Sequence, residues 1–450
     1  MAGLFGISVN PDDYRGKFNS DLFYGTFYLQ HLGEEYSGLA VKKPNSIHIQ
    51  THKGLFRPMF GSEIGEFRGT AGIGYCGLAR EPFLVNFAGG EICACFSGNI
   101  INKADLLRRF KGRGHAFSRE DDIELITTLI AQKKNVVDGI RYADSKIKGA
   151  FAMLILTEQG VYAYRSSSGH WPLVLGEKKG AVAVSSESIS FINQGFRLCG
   201  DVMPGEIVWL QEGSLVRQLI MPAESARICS FLWVYTDSPV SVVHGISVSE
   251  VRRRLGALLA KKDIEAGFIP DVVMPVPDSG RFHAIGYHQE FCRAMNEGTI
   301  SRMPVYAELL VKFPYAGRSF TPSTPKQRKL EANVKIVPIG DISYEGKEVV
   351  VDDDSIVRGV QTREGLTRKL STLGVKGIHL RISDPELCSH CPWGKTTQKG
   401  EVLVTTHPTN EQRVKFLRVT SLRYNTIEDL VEAIGLPKSM LCFDCNLPEQ

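Results

Sequence analysis

Short apolar runs separated by glycine-rich turns fill the chain from Gly3 to about residue 225 and predict the strands of a layered antiparallel α/β domain. Two stretches there carry helical spacing instead, YGTFYLQHLG at 24–33 and DDIELITTLIAQKK at 121–134. After a polar connection the rhythm changes. Residues 245–262 read as a capped helix, with Arg252, Arg253 and Arg254 on its solvated face. PDVVMPVPDSGRFHAIGY, at 270–287, reads as an apolar strand, a tight turn and a helix start, and REGLTRKLSTLG at 363–374 as another helix. Strands alternating with helices predict a mainly parallel sheet, so the chain divides into an antiparallel half, 1–228, and a parallel half, 229–450.

The second half is organised around VVVDDDSIVRGVQT, residues 349–362. Val349, Val350 and Val351 suit a strand covered on both faces, and Asp353 and Asp354 fall at its carboxyl end, where open α/β sheets bind ligands. Ser355, Ile356, Val357, Arg358, Gly359 and Thr362 follow as a turn leading into a helix, whose first amides attract phosphate. Carboxylates suit ribose hydroxyls or Mg²⁺, and turn amides suit a phosphate monoester. Asp278, Ser279, Gly280 and Arg281 form a second turn of the strand–turn–helix kind that cradles pyrophosphate. Between the two turns, KFPYAGRSFTPSTPKQRKLEANVKI at 312–336 reads as a long basic loop.

Composition narrows the field without choosing a reaction. With 450 residues, 43% of them hydrophobic, the chain is long enough for two cores. A net charge of +4 implies no nucleic-acid or membrane partner. No stretch reaches the roughly 18 apolar residues of a membrane span, and the N-terminus lacks a basic-then-apolar leader, so a cytoplasmic location is expected. In such a reducing compartment the ten cysteines point to metal ligands or buried thiols. Cys442 and Cys445 form a Cys-x-x-Cys pair; with Cys391 and Cys229 they make four ligands, suited to zinc or an iron–sulfur cluster, and Cys388 and His390 are spare candidates. Cys76, Cys93, Cys95, Cys199 and Cys292 read as small buried residues.

DDSIVRG after a valine run resembles the phosphoribosyl pyrophosphate (PRPP) signature of type I phosphoribosyltransferases, in the form found in the amidophosphoribosyltransferase family, which makes phosphoribosylamine for purine synthesis. The resemblance implies a type I phosphoribosyltransferase domain at 229–450. Asp353 and Asp354 would be its catalytic and Mg²⁺-binding acids, residues 278–281 the pyrophosphate loop, and 355–359 with Thr362 the 5-phosphate loop. The basic loop corresponds to one that closes over PRPP, with Arg318, Gln327, Arg328 and Lys335 as candidates to stabilise the departing pyrophosphate. Its Lys-x-Arg-Tyr motif is replaced by Lys312, Phe313, Pro314 and Tyr315. Val360 and Gln361 stand where the family has two threonines, a loss of ~1–3 kcal/mol for each hydroxyl left unreplaced. The cysteine positions match those of family members with a four-iron four-sulfur cluster.

GLFGI at 3–7, HLGEEYSGLAV at 31–41, EPFLVNFAGG at 81–90 and FSGNI at 96–100 are similar to the same family's N-terminal nucleophile (Ntn) glutaminase domain, an αββα sandwich. Its chemistry is missing. Ala2 stands at the nucleophilic cysteine, and a methyl group cannot attack a carbonyl. The Gly-His-x-Arg motif that holds the glutamine carboxylate is Gly74, Tyr75, Cys76 and Gly77, with Arg80 in the shortened loop as the candidate replacement. Ser97, Gly98 and Asn99 replace the oxyanion triplet Asn-Gly-Asn, and only Asp122 keeps the acid for the substrate's amino group. Joint loss of nucleophile, arginine and oxyanion side chain points to natural decay of the glutaminase rather than a single engineered knock-out. The expectation is a phosphoribosyltransferase using ammonia or another nucleophile, homo-oligomeric and open to purine nucleotides as partners. The alternative is a non-catalytic PRPP- or nucleotide-binding relative with a regulatory or scaffold role.

Overall fold

The computed structural model describes residues 2–56, 64–87, 89–219, 226–313, 334–340, 342–394 and 402–448. It divides into two compact units: Met1–Cys229 with Val240–Gly245 and Pro392–Lys395, and Ser230–Pro239 with Ile246–Cys391 and Thr396–Gln450.

In the first unit a seven-stranded and a six-stranded antiparallel sheet lie face to face. Alternation along Gly3–Val9 decides what each residue meets. Phe5, Ile7 and Val9 pack with Leu22 and Phe23 of the helix Phe18–Phe27, while a Cβ added at Gly6 would lie 3.1 Å from Val161 and 3.3 Å from Leu154 of the other sheet. The helices Lys103–Lys111, Asp122–Ile130 and Val136–Lys146 cover the six-stranded sheet through Leu106, Phe110, Ile126, Leu129 and Ile140. The layering is therefore αββα. Two of those helices went unread in the sequence. Lys103–Lys111 is only nine residues long, and Val136–Lys146 carries two valines and a glycine, all poor helix formers.

The second unit is built on a five-stranded parallel sheet in the order Val305–Tyr306, Val272–Pro275, Glu348–Asp353, Gly377–Ile382, Ser421–Tyr424. The valine run is its central strand, with Val349, Val350 and Val351 fully buried. Val350 packs against the helices Val248–Glu265 and Arg281–Asn296, and Val349 and Val351 against the opposite layer. Arg252 corrects one expectation. It is buried, and its guanidinium donates to the carbonyls of Trp233 at 2.9 Å and Asp237 at 2.7 Å. Three consecutive helical residues fan through about 200° and cannot share one face. Arg254 stays at the surface, 3.2 Å from Glu250.

Among the described residues, no helix is long and apolar enough to cross a membrane.

Candidate active sites

The strand Glu348–Asp353 delivers its acids to the carboxyl edge of the parallel sheet. Ser279 Oγ donates to Asp353 Oδ1 at 3.0 Å, which draws together the two turns singled out in the sequence. Gly280 permits that approach, because a Cβ there would collide with the carbonyl of Asp352. The Asp354 N–H donates to Asp353 Oδ1 at 2.9 Å, and Ser355 Oγ to Asp354 Oδ2 at 2.5 Å. Burial, reinforced by the neighbouring Asp354, pushes the Asp353 carboxyl well above the usual carboxylate range. Two crowded carboxyl groups of this kind are an oxygen donor set that a divalent cation or ribose hydroxyls would relieve, so the residues fit Mg²⁺. Asp352 points to the other side of the sheet. It is fully buried without a hydrogen-bond partner among the described residues, and burial raises its carboxyl as well.

Beyond Asp354 the chain turns through Gly359, whose φ of +71° favours glycine and whose Cβ would lie 2.9 Å from Leu417. The turn enters a π-helical stretch, Gln361–Thr367. Thr362 is buried and Val360 is 41% exposed, so at this lip an apolar side chain stands where a hydroxyl was expected. In the other turn Arg281 lies 3.2 Å from Glu308, and Lys312 Nζ reaches Asp278 at 3.1 Å. The segments flanking the basic stretch pair as an antiparallel ladder of Leu310–Lys312 with Ile336–Pro338, and the Phe313 N–H donates to the Lys335 carbonyl at 2.8 Å. Lys335 thus stands at the base of the loop, while Pro314, Tyr315, Arg318, Gln327 and Arg328 lie outside the described residues.

The cysteine segments of the second unit are laced together by backbone contacts. Ser230, which follows Cys229, donates through Oγ to the Cys442 carbonyl at 2.8 Å. The N–H groups of Cys388 and Ser389 both donate to the Cys445 carbonyl, at 2.8 and 3.1 Å, a few residues before Cys391. Within the second unit these ties bring the backbone of Cys388 beside that of Cys445, and cysteine thiolates as a class suit zinc or an iron–sulfur cluster.

The first unit offers a contrast. The Ala2 N–H donates to Ser97 Oγ at 2.9 Å in a buried setting, so the position of the expected nucleophile and that of the oxyanion side chain are in contact through a methyl-bearing residue and a hydroxyl that is already engaged. Strand alternation puts Tyr75 and Gly77 on one face, and a Cβ on Gly77 would strike the Tyr75 hydroxyl. That hydroxyl also accepts the Ala79 N–H at 3.2 Å. Tyr75 therefore fills the volume an arginine side chain would need. Arg80, the candidate replacement, is exposed and donates to Thr51 Oγ1 at 2.9 Å. Asp122 is buried, and Lys103 Nζ sits 3.2 Å from its carboxylate. Reading the sequence did not single out Lys103; its place beside the entrance to an acid-capped helix was the available signal. Two smaller corrections concern Cys199 and Cys292, which are half-buried rather than buried like Cys76, Cys93 and Cys95.

Known proteins match along the whole chain. A glutamine amidotransferase domain family matches residues 78–193. The amidophosphoribosyltransferase of Methanocaldococcus jannaschii is 32% identical, covering 99% of this chain and 96% of its own, and that of Methanothermobacter thermautotrophicus is 33% identical, covering 98% and 92%. The solved structure of glutamine PRPP amidotransferase from B. subtilis, complexed with ADP and GMP, superposes with a TM-score of 0.85 at 28% identity, covering 98% of this chain and 96% of that one. With relatives above 30% identity aligned from end to end, and a strand-borne acid pair hydrogen-bonded to the Asp278–Arg281 turn, the chain belongs to the amidophosphoribosyltransferase family.

Proposed function

We propose that the C-terminal unit transfers the phosphoribosyl group of PRPP to ammonia or a related amine, releasing pyrophosphate, and that the N-terminal unit no longer hydrolyses glutamine. The hydrogen bond from Ser279 to Asp353 carries the first half, because it joins a pyrophosphate turn and a ribose-binding acid pair at one edge of the sheet. In this reading Asp353 and Asp354 hold the ribose hydroxyls or Mg²⁺. The amides of 355–359 and Thr362 take the 5-phosphate, and Asp278, Ser279, Gly280 and Arg281 take the pyrophosphate. Mg²⁺, when bound, neutralises charge building on the leaving group. Arg328, outside the described residues, and Lys335 are the cations we assign to the leaving group, and an ammonia nucleophile demands no general base.

The second half is supported by three departures from the family pattern, at Ala2, at the Tyr75–Gly77 pair and at Ser97, and by the ion pair from Lys103 to the retained Asp122. Cys229, Cys391, Cys442 and Cys445 are the ligands we assign to a four-iron four-sulfur cluster, with zinc as the other occupant of such a set. A relative solved with ADP and GMP supports purine nucleotides as ligands. Buried thiols at Cys76, Cys93 and Cys95 suit a reducing cytoplasm.

The test is direct. Protein mixed with PRPP, Mg²⁺ and ammonium should release pyrophosphate. Binding of PRPP without turnover across a panel of amines would instead favour a sensor or scaffold.

A further inference from the structure

One segment of the second unit, residues 383–389, is tied at both ends. At its start the N–H groups of Ser383 and Asp384 donate to the carbonyls of Asp353 at 3.0 Å and Asp354 at 2.8 Å. At its end the N–H groups of Cys388 and Ser389 donate to the Cys445 carbonyl, and Ser389 Oγ to the Asp444 carbonyl at 2.9 Å. Between these ties sits Asn446, a buried amide. Its Nδ2 donates to Asp384 Oδ2 at 3.3 Å and to the Pro385 carbonyl at 3.1 Å, and its Oδ1 accepts from Cys445 Sγ at 3.7 Å. Asp384 is 1% exposed, so no water competes for this contact. A continuous chain of bonds therefore runs from Asn446, the residue next to Cys445, through Asp384 to the backbone of Asp354. All of its members lie within one unit.

We propose that Asn446 is a positioning residue for the transferase site: it holds Asp384, and through it the Asp353–Asp354 turn, in register with the cysteine-bearing C-terminal segment. The idea rests on the transferase reading above. It gives the cysteine segment a task beyond anchoring the C-terminus, since any change at Cys445 reaches the acids that grip the sugar phosphate through two side chains. Asn446 touches no substrate, so its loss acts on binding geometry rather than on chemistry.

The experiment is a double-mutant cycle on the full-length protein, using Asn446→Ala, Asp384→Ala and the pair, with Mg²⁺-dependent PRPP binding measured by calorimetry. Amide hydrogen exchange at residues 353–357 and 383–385 is followed in parallel. Each single change should weaken PRPP binding about tenfold, an engaged hydrogen bond's worth. The pair should be no worse than either alone, because both cut the same link. Exchange at 353–357 should speed up in each variant. Additive losses, or PRPP affinity and exchange both unchanged in Asn446→Ala, overturn the proposal. Asn446→Gln, which keeps an amide, tests for rescue: affinity partly recovered relative to Asn446→Ala supports positioning, and affinity no better than that of Asn446→Ala rejects it. If the unaltered protein does not bind PRPP, the functional reading fails instead, and the exchange data still report on the link.

Discussion

The two units hold sites of opposite character on equally well-formed scaffolds. In the C-terminal unit Asp353 and Asp354 crowd each other at the sheet edge, and the nearby Asp384 keeps a carboxyl oxygen with no hydrogen-bond partner among the described residues. In the N-terminal unit the groups at the expected glutamine site meet neighbours from within, Asp122 the Lys103 ammonium, Ser97 the Ala2 N–H, and the space beside Gly77 the Tyr75 ring. Carboxyl groups crowded together out of water raise the free energy of the ligand-free protein and favour a ligand that neutralises them. Internal partners do the reverse, since a substrate must displace them before it gains anything. On the reading proposed above, a fold outlives its reaction, and the sign of that loss is a site whose key polar groups meet partners within the protein itself.

The sharpest way to break this contrast is to remove the acid. Asp353→Ala should lower the rate of pyrophosphate release roughly a hundredfold or more, the scale of losing a charged contact in the transition state. An effect below tenfold would mean that the acid pair does not grip the reacting sugar. Next in size is the pH dependence. Because the Asp353 carboxyl is raised in the folded protein, the folded state holds its proton at pH values where an unfolded chain has lost it. Stability of the ligand-free protein therefore falls as pH rises from about 4, the ordinary carboxylate value, to the raised one. Cation binding needs the charged form, so affinity for Mg²⁺ with PRPP should rise with pH across the same window, by at most about tenfold per unit. Titration calorimetry in buffers of different ionisation enthalpy should register proton release, and Asp353→Asn should abolish it.

Smaller effects sharpen the comparison. Val360→Thr returns a hydroxyl to the exposed lip of the phosphate loop and should lower KM for PRPP severalfold, within the ~1 kcal/mol of one added hydrogen bond, with kcat unchanged. An unchanged KM would mean that the 5-phosphate lies elsewhere. The smallest expected effect is none: Ala2→Cys should yield no glutamate from glutamine, because Tyr75 and Lys103 still fill the binding groups. Only with Gly77→Arg, Tyr75→His and Lys103→Ala added should hydrolysis become measurable.

Much of this was legible in the chain. The valine run entering three aspartates predicted the central strand, and strand alternation then separates Asp353, which faces Ser279, from Asp352, which does not. The missing glutaminase groups were equally plain, because a lost side chain shows as a changed letter. What the letters did not show is what replaced them. Lys103 and Asp122 are nineteen positions apart and meet only because neighbouring helices pack on one sheet. Arg252 looked solvated because its helix is strongly basic, yet tertiary contacts turned it inward. Asp384 and Asn446 carry no motif at all; sixty-two residues separate them, and only the closing of the C-terminal segment onto the sheet edge brings them together.

The central claim, one open site and one closed, is tested most directly by a single assay run with two nitrogen donors. Pyrophosphate release from PRPP and Mg²⁺ is measured with ammonium and, separately, with glutamine at saturating concentration. The account predicts turnover with ammonium and no glutamine-dependent turnover above the background without a donor. Glutamine-supported release accompanied by stoichiometric glutamate would contradict it.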